Sequence, residues 1–489
     1  NYTNLVDIVD KGPWNRKTVK SLINAILANI VIGFYLTYFY YIIIPFQEYY
    51  RISDLMVMLI SSTNFLGFFF GNLLSGVLSQ KFNRKTIIIF AVGGNLICHI
   101  VHCISRNIIV FTIFRTLSSF FVGIYEILVF SIYCEYLPIY LRGFFLNLMF
   151  ATYFLGAIFF LLICKIYLPE LNYNPYIPEK FQDFHAAILQ FSIVILICLI
   201  SSIFFLEDSP RNLIMNNDLE KAKEILNFYT DGKINDEDMK IISKNLKEKG
   251  ENKYYEEKNG ISSLFKKRNV FLTIKIMMIF FFLCTSYYGI QSTLTTILKG
   301  IDDKSNDDQI GEEVSPINSL LLMGSIESLG NFLGAILCEF EFIGRKYLLL
   351  IMSIISIGNA LLGRFIISKF EIFMGIGLSA SNLTQDCLKT YTSEIYPTKI
   401  RDLALGINIS VMRIAGIFSQ FVFFSLTKLH LYTGIYMFLI FTTIAFSTIL
   451  LLPPDNNKEI DAEIEMTDNE LSSESDLDVL IDREKEKIY

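Results

Sequence analysis

Long hydrophobic runs alternate with short polar segments from residue 19 to residue 452. Six runs lie in the first half, near 19–46, 55–79, 86–104, 108–136, 146–168 and 184–206. Six more lie in the second half, near 270–298, 316–340, 346–364, 369–396, 402–427 and 430–452. Because a helix of about 20 apolar residues crosses a bilayer, each run predicts one transmembrane helix. The pattern therefore predicts an all-α membrane protein, and we number the runs spans 1 to 12.

Short charged hinges occur once in each half of the chain. The segments from Glu135 to Arg142 and from Glu394 to Arg401 share the pattern Glu-x-x-Pro-x-x-x-Arg, at an offset of 394 minus 135, or 259 positions. Asn83-Arg-Lys and Gly344-Arg-Lys are separated by 344 minus 83, or 261 positions. Two motifs at nearly one offset indicate a duplicated unit. We therefore expect two pseudo-symmetric bundles of six helices, at residues 19–206 and 270–452.

The composition agrees with a polytopic membrane protein. The mean hydropathy is +0.46, and 53% of the residues are hydrophobic whereas only 18% are charged. This is too apolar for a soluble chain of this length. The net charge of -6 arises from an acidic loop near 302–313 and an acidic tail, so it does not indicate a nucleic-acid partner. The eight cysteines lack metal-type spacing, and no catalytic arrangement or cofactor motif is visible, which argues against an enzyme.

Lysine and arginine are concentrated in the loops on one side of the predicted membrane. Lys81, Arg84, Arg142, Arg345 and Arg401 share a side with the basic segment 1–18, so both termini are expected in the cytosol. The linker 207–269 contains an amphipathic stretch at 219–226, which either lies beneath the membrane or forms a solvated helix. The acidic tail 453–489 is expected to be disordered. We expect a monomer in the plasma membrane, with a vesicular or organellar membrane as the alternative.

The hinges and the six-plus-six repeat together resemble the major facilitator superfamily. Glu207-Asp-Ser-Pro-Arg211 is similar to a signature shared by sugar porters and organic-ion transporters, and Ser286-Tyr-Tyr-Gly289 and Tyr391–Thr398 resemble the organic-ion branch. The hexose-carrier motifs of span 7 are absent. Unlike animal organic-ion carriers, the chain has only a short connection, 47–54, between spans 1 and 2. These traits also fit a protozoan vitamin transporter of the pantothenate type.

Charged and polar residues inside the spans are the candidates for function, because an ionised side chain there costs about 2.5–3.5 kcal/mol on insertion scales. Arg413 is the leading candidate, since a guanidinium binds carboxylates in a fork and the resemblance implies an arginine at this place in organic anion carriers. The alternative is a structural ion pair with Asp386 or Glu327. The full set of candidate substrate contacts is Arg413, Asp386, Tyr288, Gln291, Asn64 and Arg115.

The polar candidates each have a structural alternative. Tyr288, Gln291 and Asn64 could instead join helices by hydrogen bonds, and Asp386 could pair permanently with Lys389 or Arg413. Arg115 matches an arginine of proton-linked sugar porters, but span 1 lacks the acid that pairs with it there. Arg115 and Glu126 are expected on one helix face, about 16 Å apart, where they could bracket a central cavity. The candidates for proton coupling are Glu126, Glu327 and Asp386.

These residues and the resemblance lead to one functional expectation and two alternatives. We expect a transporter that moves a small organic anion, such as the vitamin carboxylate pantothenate, by alternating access, with or without a coupled proton. Its partners would be this small molecule, protons and the lipid bilayer. The first alternative is a hexose or polyol facilitator. The second is a receptor or vesicle component that does not transport.

The duplicated hinges are expected to form a cytosolic gate. The resemblance implies that Glu135 faces Arg84 or Lys85, that Glu394 faces Arg345, and that Glu207 faces Arg142; the full set is Glu135, Arg142, Arg84, Lys85, Glu207, Arg345, Glu394 and Arg401. Each solvent-exposed pair contributes only about 0.2–1 kcal/mol. Several weak pairs bias a gate toward closure while substrate binding can still open it.

Replacing Glu394 by Gln should shift the protein toward inward-open states, because it removes one of these pairs. Labelling of an engineered cysteine on the cytosolic side should then become faster than in the wild type. Unchanged labelling would contradict the gate.

Overall fold

The structure is a computed structural model that describes residues 16–137, 145, 148–168, 183–215, 218–230, 234–245, 264–265, 270–307, 316–337, 344–396, 398–430 and 432–453. The regular secondary structure in this part of the chain is helical. Each of the twelve predicted runs coincides with one or two helices, so the predicted all-α class is confirmed.

The helices of the first half follow the predicted spans closely. Span 1 is Arg16–Tyr41 and is followed by a short helix, Ile43–Tyr50. Spans 2, 3 and 4 are Asp54–Lys81, Arg84–Ile104 and Ile108–Tyr136. Span 5 contains the helix Tyr153–Tyr167, and span 6 is formed by two helices, Asp183–Gln190 and Ser192–Phe204.

The helices of the second half are longer on average. Spans 7, 8 and 9 are Val270–Asp307, Pro316–Leu337 and Arg345–Phe365. Spans 10, 11 and 12 are Phe370–Ile395, Thr398–Leu429 and Thr433–Leu450. Span 7 continues past its predicted end at residue 298. Its helix extends to Asp307, into the polar segment that was expected to be a loop.

Eleven helices in the described residues are long and apolar enough to cross a membrane. The helix of span 10 is not among them, although it has 26 residues. Its second half carries Asn382, Gln385, Asp386 and Lys389, which make it more polar than the other spans. Span 10 therefore needs polar neighbours inside the protein.

The helices pack in two groups that correspond to the two halves of the chain. In the first group, span 4 packs against spans 2 and 3, and span 1 packs against span 5. In the second group, span 7 packs against spans 11 and 12, and span 10 packs against spans 8 and 9. The groups meet where span 2 contacts span 11, span 5 contacts span 8, and span 1 contacts span 7.

Spans 1 and 5 approach each other closely through two glycines. A Cβ atom built on Gly33 would lie 1.9 Å from the carbonyl oxygen of Tyr153, and one on Gly156 would lie 2.0 Å from that of Ile30. Neither distance leaves room for a side chain. Small residues allow helix backbones to touch in this way in membrane proteins, and the first bundle is therefore tightly packed here.

The two bundles are also joined at the end of the molecule where span 1 finishes. The Gln420 amide donates to the Tyr40 hydroxyl at 3.1 Å, and the Thr295 hydroxyl donates to the Tyr40 carbonyl at 2.8 Å. Farther out, Lys299 lies 3.6 Å from Glu48. The two bundles are therefore in direct contact at this end.

Part of the linker between the bundles is folded. Pro210–Met215 and Leu219–Thr230 are helices, and the second one buries Ala222, Ile225 and Leu226. The Tyr136 hydroxyl at the end of span 4 donates to the Asp208 carbonyl at 2.8 Å. These contacts attach the start of the linker to the first bundle.

Replacing Gly156 by Leu should lower the thermal unfolding temperature of the detergent-solubilised protein strongly, because overpacking typically costs about 1–3 kcal/mol, and here the neighbour is a backbone that cannot rotate aside. The matched control is Gly93→Leu in span 3, where a Cβ atom would have no other atom within 4 Å. Equal unfolding temperatures for the two variants would show that spans 1 and 5 do not pack as described.

Candidate functional site

An ion pair between Arg413 of span 11 and Glu126 of span 4 joins the two bundles near the middle of both helices. Nη2 of Arg413 donates to both carboxylate oxygens of Glu126, at 2.5 and 2.6 Å. The arginine side chain is 3% exposed and the glutamate 23%. Phe68 of span 2 lies beneath the guanidinium, with its ring centroid 4.6 Å away. The considered pairing of Arg413 with Asp386 or Glu327 is wrong, since the partner comes from the opposite bundle.

The guanidinium retains unused hydrogen-bonding capacity. Nε and Nη1 of Arg413 are buried and have no partner among the described residues, and neither has the hydroxyl of Tyr153. Tyr153 of span 5 and Tyr288 of span 7 lie close enough to Arg413 to interact with it electrostatically. Buried donors without acceptors cost about 1–3 kcal/mol each. This region therefore has donors that suit an acceptor-rich molecule.

Tyr153 is a residue of this region that the sequence-based candidates do not include. The duplication does not point to it, because the hinge offset of 259 positions places Phe154, and not Tyr153, opposite Arg413. Tyr153 carries no charge, so a search for ionised residues inside the spans passes over it.

A second polar group surrounds Glu327 of span 8. The Tyr287 hydroxyl donates to its carboxylate at 2.6 Å, and the Gln291 amide lies 3.4 Å from the other carboxylate oxygen. The Asn331 amide donates to the Glu327 carbonyl at 2.7 Å. No lysine, arginine or histidine of the described residues forms an ion pair with Glu327. Gln291 thus holds helices together, while the neighbouring Tyr288 packs on Phe65 of the first bundle with ring centroids 4.9 Å apart.

Asp386 of span 10 is paired within its own helix. Its carboxylate accepts from Lys389 at 2.8 Å and from Asn382 at 3.3 Å. The Lys389 ammonium also lies 4.4 Å from the ring centroid of Phe150, which belongs to the other bundle. The structure therefore shows the Lys389 pairing considered for Asp386, and not pairing with Arg413.

Arg115 and Asn64 lie inside the first bundle. Nε of Arg115 donates to the Tyr38 hydroxyl at 3.0 Å, and Nη1 donates to the Ile60 carbonyl at 2.6 Å. Asn64 donates to the Tyr35 carbonyl at 3.0 Å and accepts from Ser119. Both side chains therefore hold spans 1, 2 and 4 together. The expectation that Arg115 and Glu126 bracket one cavity is wrong, because Arg115 is turned into the bundle and Glu126 toward span 11.

Only part of the predicted cytosolic gate falls in the described part of the chain. The side chains of Glu135, Arg142, Glu394 and Arg401 lie outside it, whereas Arg84, Lys85, Glu207 and Arg345 lie within it. Beside these residues, the backbone N–H of Lys85 donates to the carboxylate of Asp208. Burial raises the pKa of Asp208, and the charge and the N–H of Lys85 oppose that effect. The start of span 3 and the end of span 6 therefore meet at this level.

One buried cluster has the side chains that could hold a metal ion. The donor atoms of His99, His102 and Cys103 lie within 4.8 Å of one another. However, both ring nitrogens of His99 are already engaged, with the Tyr35 hydroxyl at 2.7 Å and the Ile188 carbonyl at 3.1 Å. The cluster is better described as part of the hydrogen-bonded interior of the first bundle.

Comparison with known proteins gives the family and the fold. The Major Facilitator Superfamily profile matches residues 25–420. The chain is 24% identical over 401 residues to a synaptic vesicle 2-related protein of Xenopus laevis, covering 76% of this chain and 66% of the relative. It is 24% identical over 432 residues to the putative metabolite transport protein YyaJ of Bacillus subtilis (strain 168), covering 84% of this chain and 87% of that protein.

A third relative and a solved structure complete the comparison. Solute carrier family 22 member 4 of Mus musculus is 24% identical over 379 residues, which cover 76% of this chain and 62% of the relative. The chain thus spans less than two thirds of the vesicle-related and solute-carrier relatives. The partially occluded, inward-open xylose transporter XylE from E. coli superposes with a TM-score of 0.69 at 16% identity, covering 91% of this chain and 100% of the other.

The structural likeness concerns the fold alone, but the profile match covers most of the chain, including both bundles. The chain therefore belongs to the Major Facilitator Superfamily, and it is a membrane transporter rather than an enzyme.

Proposed function

We propose that the protein moves a small organic anion, in the first place a carboxylate metabolite, across the membrane by alternating access. The observation that carries this proposal is the position of Arg413, a buried cation between the two bundles with two donor atoms that have no partner among the described residues. Sites near the midplane between repeats are where transporters of this architecture hold their cargo.

A carboxylate suits Arg413 for two physical reasons. The guanidinium stays charged when it is removed from water, and its parallel N–H groups match the two oxygens of a carboxylate. An anion bound there would also satisfy donors that are otherwise buried without acceptors. A neutral substrate would satisfy the donors but not the charge.

The other contacts would come from two tyrosines close to Arg413. Tyr153 belongs to the first bundle and Tyr288 to the second. A substrate held between them would contact both bundles, so these contacts would change when the bundles move relative to each other. We assign to Asn64, Arg115 and Gln291 the role of holding helices together, since their side chains bond to other helices of their own bundles. Asp386 is engaged within its own helix.

We infer the direction of opening from the contacts at one end of the molecule. Tyr40, Thr295 and Gln420 join the bundles at the end where span 1 finishes. With both termini in the cytosol, as the basic loops favour, this conformation is closed to the outside. The hinges at the other end would then form the gate that opens to the cytosol, in the plasma membrane by our proposal.

Proton coupling has three acidic candidates, and they differ in their environments. Asp386 is neutralised by Lys389 of the same helix, whereas Glu126 is neutralised by an arginine of the opposite bundle. Glu327 is buried and is held by hydroxyl and amide donors. A monoanion crossing alone against 100 mV would be opposed by about 2.3 kcal/mol, and one accompanying proton would remove that opposition.

A hexose or polyol is the second candidate substrate. The observation in its favour is the hydrogen-bonded group of Tyr287, Gln291 and Glu327, which offers hydroxyl, amide and carboxyl groups that could bind sugar hydroxyls. XylE, which has the same fold, transports xylose. If a hexose is the substrate, an excess of unlabelled glucose should abolish the uptake of labelled glucose. No carboxylate uptake should then be detected.

Replacing Arg413 by Ala should reduce carboxylate uptake into proteoliposomes by about 10- to 100-fold, because hydrogen bonds to a charged group contribute about 1.5–3 kcal/mol. The measurement uses radiolabelled pantothenate, lactate and nicotinate. Arg413→Lys should retain part of the activity, since it keeps the charge but loses the fork.

Arg364→Ala is the matched control for this experiment. Arg364 lies at the end of span 9, 4.2 Å from the ring centroid of Tyr432, and its replacement should leave uptake near the wild-type rate. Absence of carboxylate flux in the wild type, or unchanged flux in Arg413→Ala, would refute the proposed function.

A further inference from the structure

We propose that Glu126 competes with the transported anion for Arg413, and that the displaced carboxylate takes up a proton which then travels with the anion. This inference rests on the proposed function and adds its coupling mechanism. The protein would be a proton–anion symporter in which one arginine serves two alternative carboxylates.

The geometry of the guanidinium favours this competition. A guanidinium has two pairs of parallel donors, one formed by Nε and Nη2 and the other by Nη1 and Nη2. Both oxygens of Glu126 are hydrogen-bonded to Nη2, the atom that belongs to both pairs. Nε and Nη1 remain without partners among the described residues, but no pair of parallel donors is complete without Nη2. Since Nη2 carries one N–H of each pair, a carboxylate bound in either fork would lie against the carboxylate of Glu126. Repulsion between the two anions favours displacement of Glu126.

Displacement changes the protonation of Glu126 because it removes the balancing charge. Next to Arg413 the glutamate is an anion beside a cation. When another carboxylate occupies the arginine, the site would contain two negative charges and one positive charge in a partly buried position, which is costly. The side chain of Glu126 is 23% exposed, so a proton from water can reach its carboxylate oxygen. Protonation restores neutrality: one guanidinium cation, one bound anion and one neutral carboxylic acid.

The other titratable groups around the pair do not supply a second cation. Those of the described residues that lie near Glu126 or Arg413 are Tyr125 on span 4, Tyr153 on span 5, and Cys284 and Tyr288 on span 7. Phenol and thiol groups carry no positive charge in either protonation state. Among the described residues, the charge of Glu126 is therefore balanced by Arg413 alone, and the loss of that one contact determines its protonation.

The partners of the two acids show why Glu126, and not Asp386, would act in this way. Each acid lies in the fourth span of its half of the chain, Glu126 in span 4 and Asp386 in span 10. Asp386 is paired with Lys389 three residues away on the same helix, so its pair persists whatever the bundles do. Glu126 is paired with a residue of the other bundle, so its pair must break when the bundles separate or when an anion takes the arginine.

The test measures protons taken up when an anion binds. Purified wild-type protein in a weakly buffered detergent solution with a pH indicator should take up close to one proton per bound pantothenate, lactate or nicotinate. Its affinity for the same anion should increase by up to about tenfold for each unit by which the pH is lowered, the limit for one linked proton. Glu126→Gln should bind the anion more tightly, independently of pH and without proton uptake.

Glu371→Gln is the matched control, because Glu371 is another carboxylate within a span and has a hydroxyl partner, Ser319, far from Arg413. It should behave like the wild type. If Glu126→Gln does not fold, Glu126→Asp provides the second variant: it keeps a carboxylate and should shift the pH at which the affinity changes.

The outcomes separate this inference from the proposed function. Failure of the wild type to bind or transport any of the three carboxylates overturns the proposed function. Binding without proton uptake in the wild type, unchanged proton uptake in Glu126→Gln, or an unchanged pH midpoint in Glu126→Asp overturns the coupling mechanism and leaves anion transport standing.

Discussion

The ion pair between Arg413 and Glu126 is the interaction on which the arrangement of the two bundles depends. Removing two charges from water is costly, and a buried pair repays this only with good geometry and satisfied hydrogen bonds. Here the geometry is close, at 2.5 and 2.6 Å, but two of the arginine donor atoms have no partner in the described part of the chain. The pair therefore links the two bundles. Because the hydrogen bonding of Arg413 is incomplete, the arginine could exchange Glu126 for another acceptor.

The contacts within the first bundle differ in kind from those between the bundles. Gly33 and Gly156 bring the backbones of spans 1 and 5 into direct contact, which leaves no freedom for sliding. The bundles meet instead through side-chain hydrogen bonds, such as that from Gln420 to Tyr40, and through aromatic rings such as Phe65 against Tyr288. Side-chain contacts can break and re-form without distorting a helix. A rigid unit that moves against its neighbour is the expected result.

The sequence was sufficient to predict the helices and the fold, because an apolar run of about 20 residues has the length that a helix needs to cross a bilayer. It was also sufficient to single out Arg413, since few cations occur inside the spans. It did not reveal that Glu126 is its partner, because these residues are 287 positions apart and meet only where two bundles touch. Arg115, for which span 1 has no acidic partner, is bonded to the hydroxyl of Tyr38 and the carbonyl of Ile60, partners that a search for charges does not find.

The polarity of span 10 affects how the chain is assembled during its synthesis. Asn382, Asp386 and Lys389 would be exposed to lipid if this helix entered the bilayer alone, at a cost of about 2.5–3.5 kcal/mol for each charged group. In the folded protein Asn382 donates to Asn331 of span 8 at 3.1 Å. Span 8 leaves the ribosome before span 10 and can offer this partner as span 10 arrives. Span 8 therefore precedes span 10 into the membrane. Span 10, which is too polar to insert by itself, can then insert next to span 8.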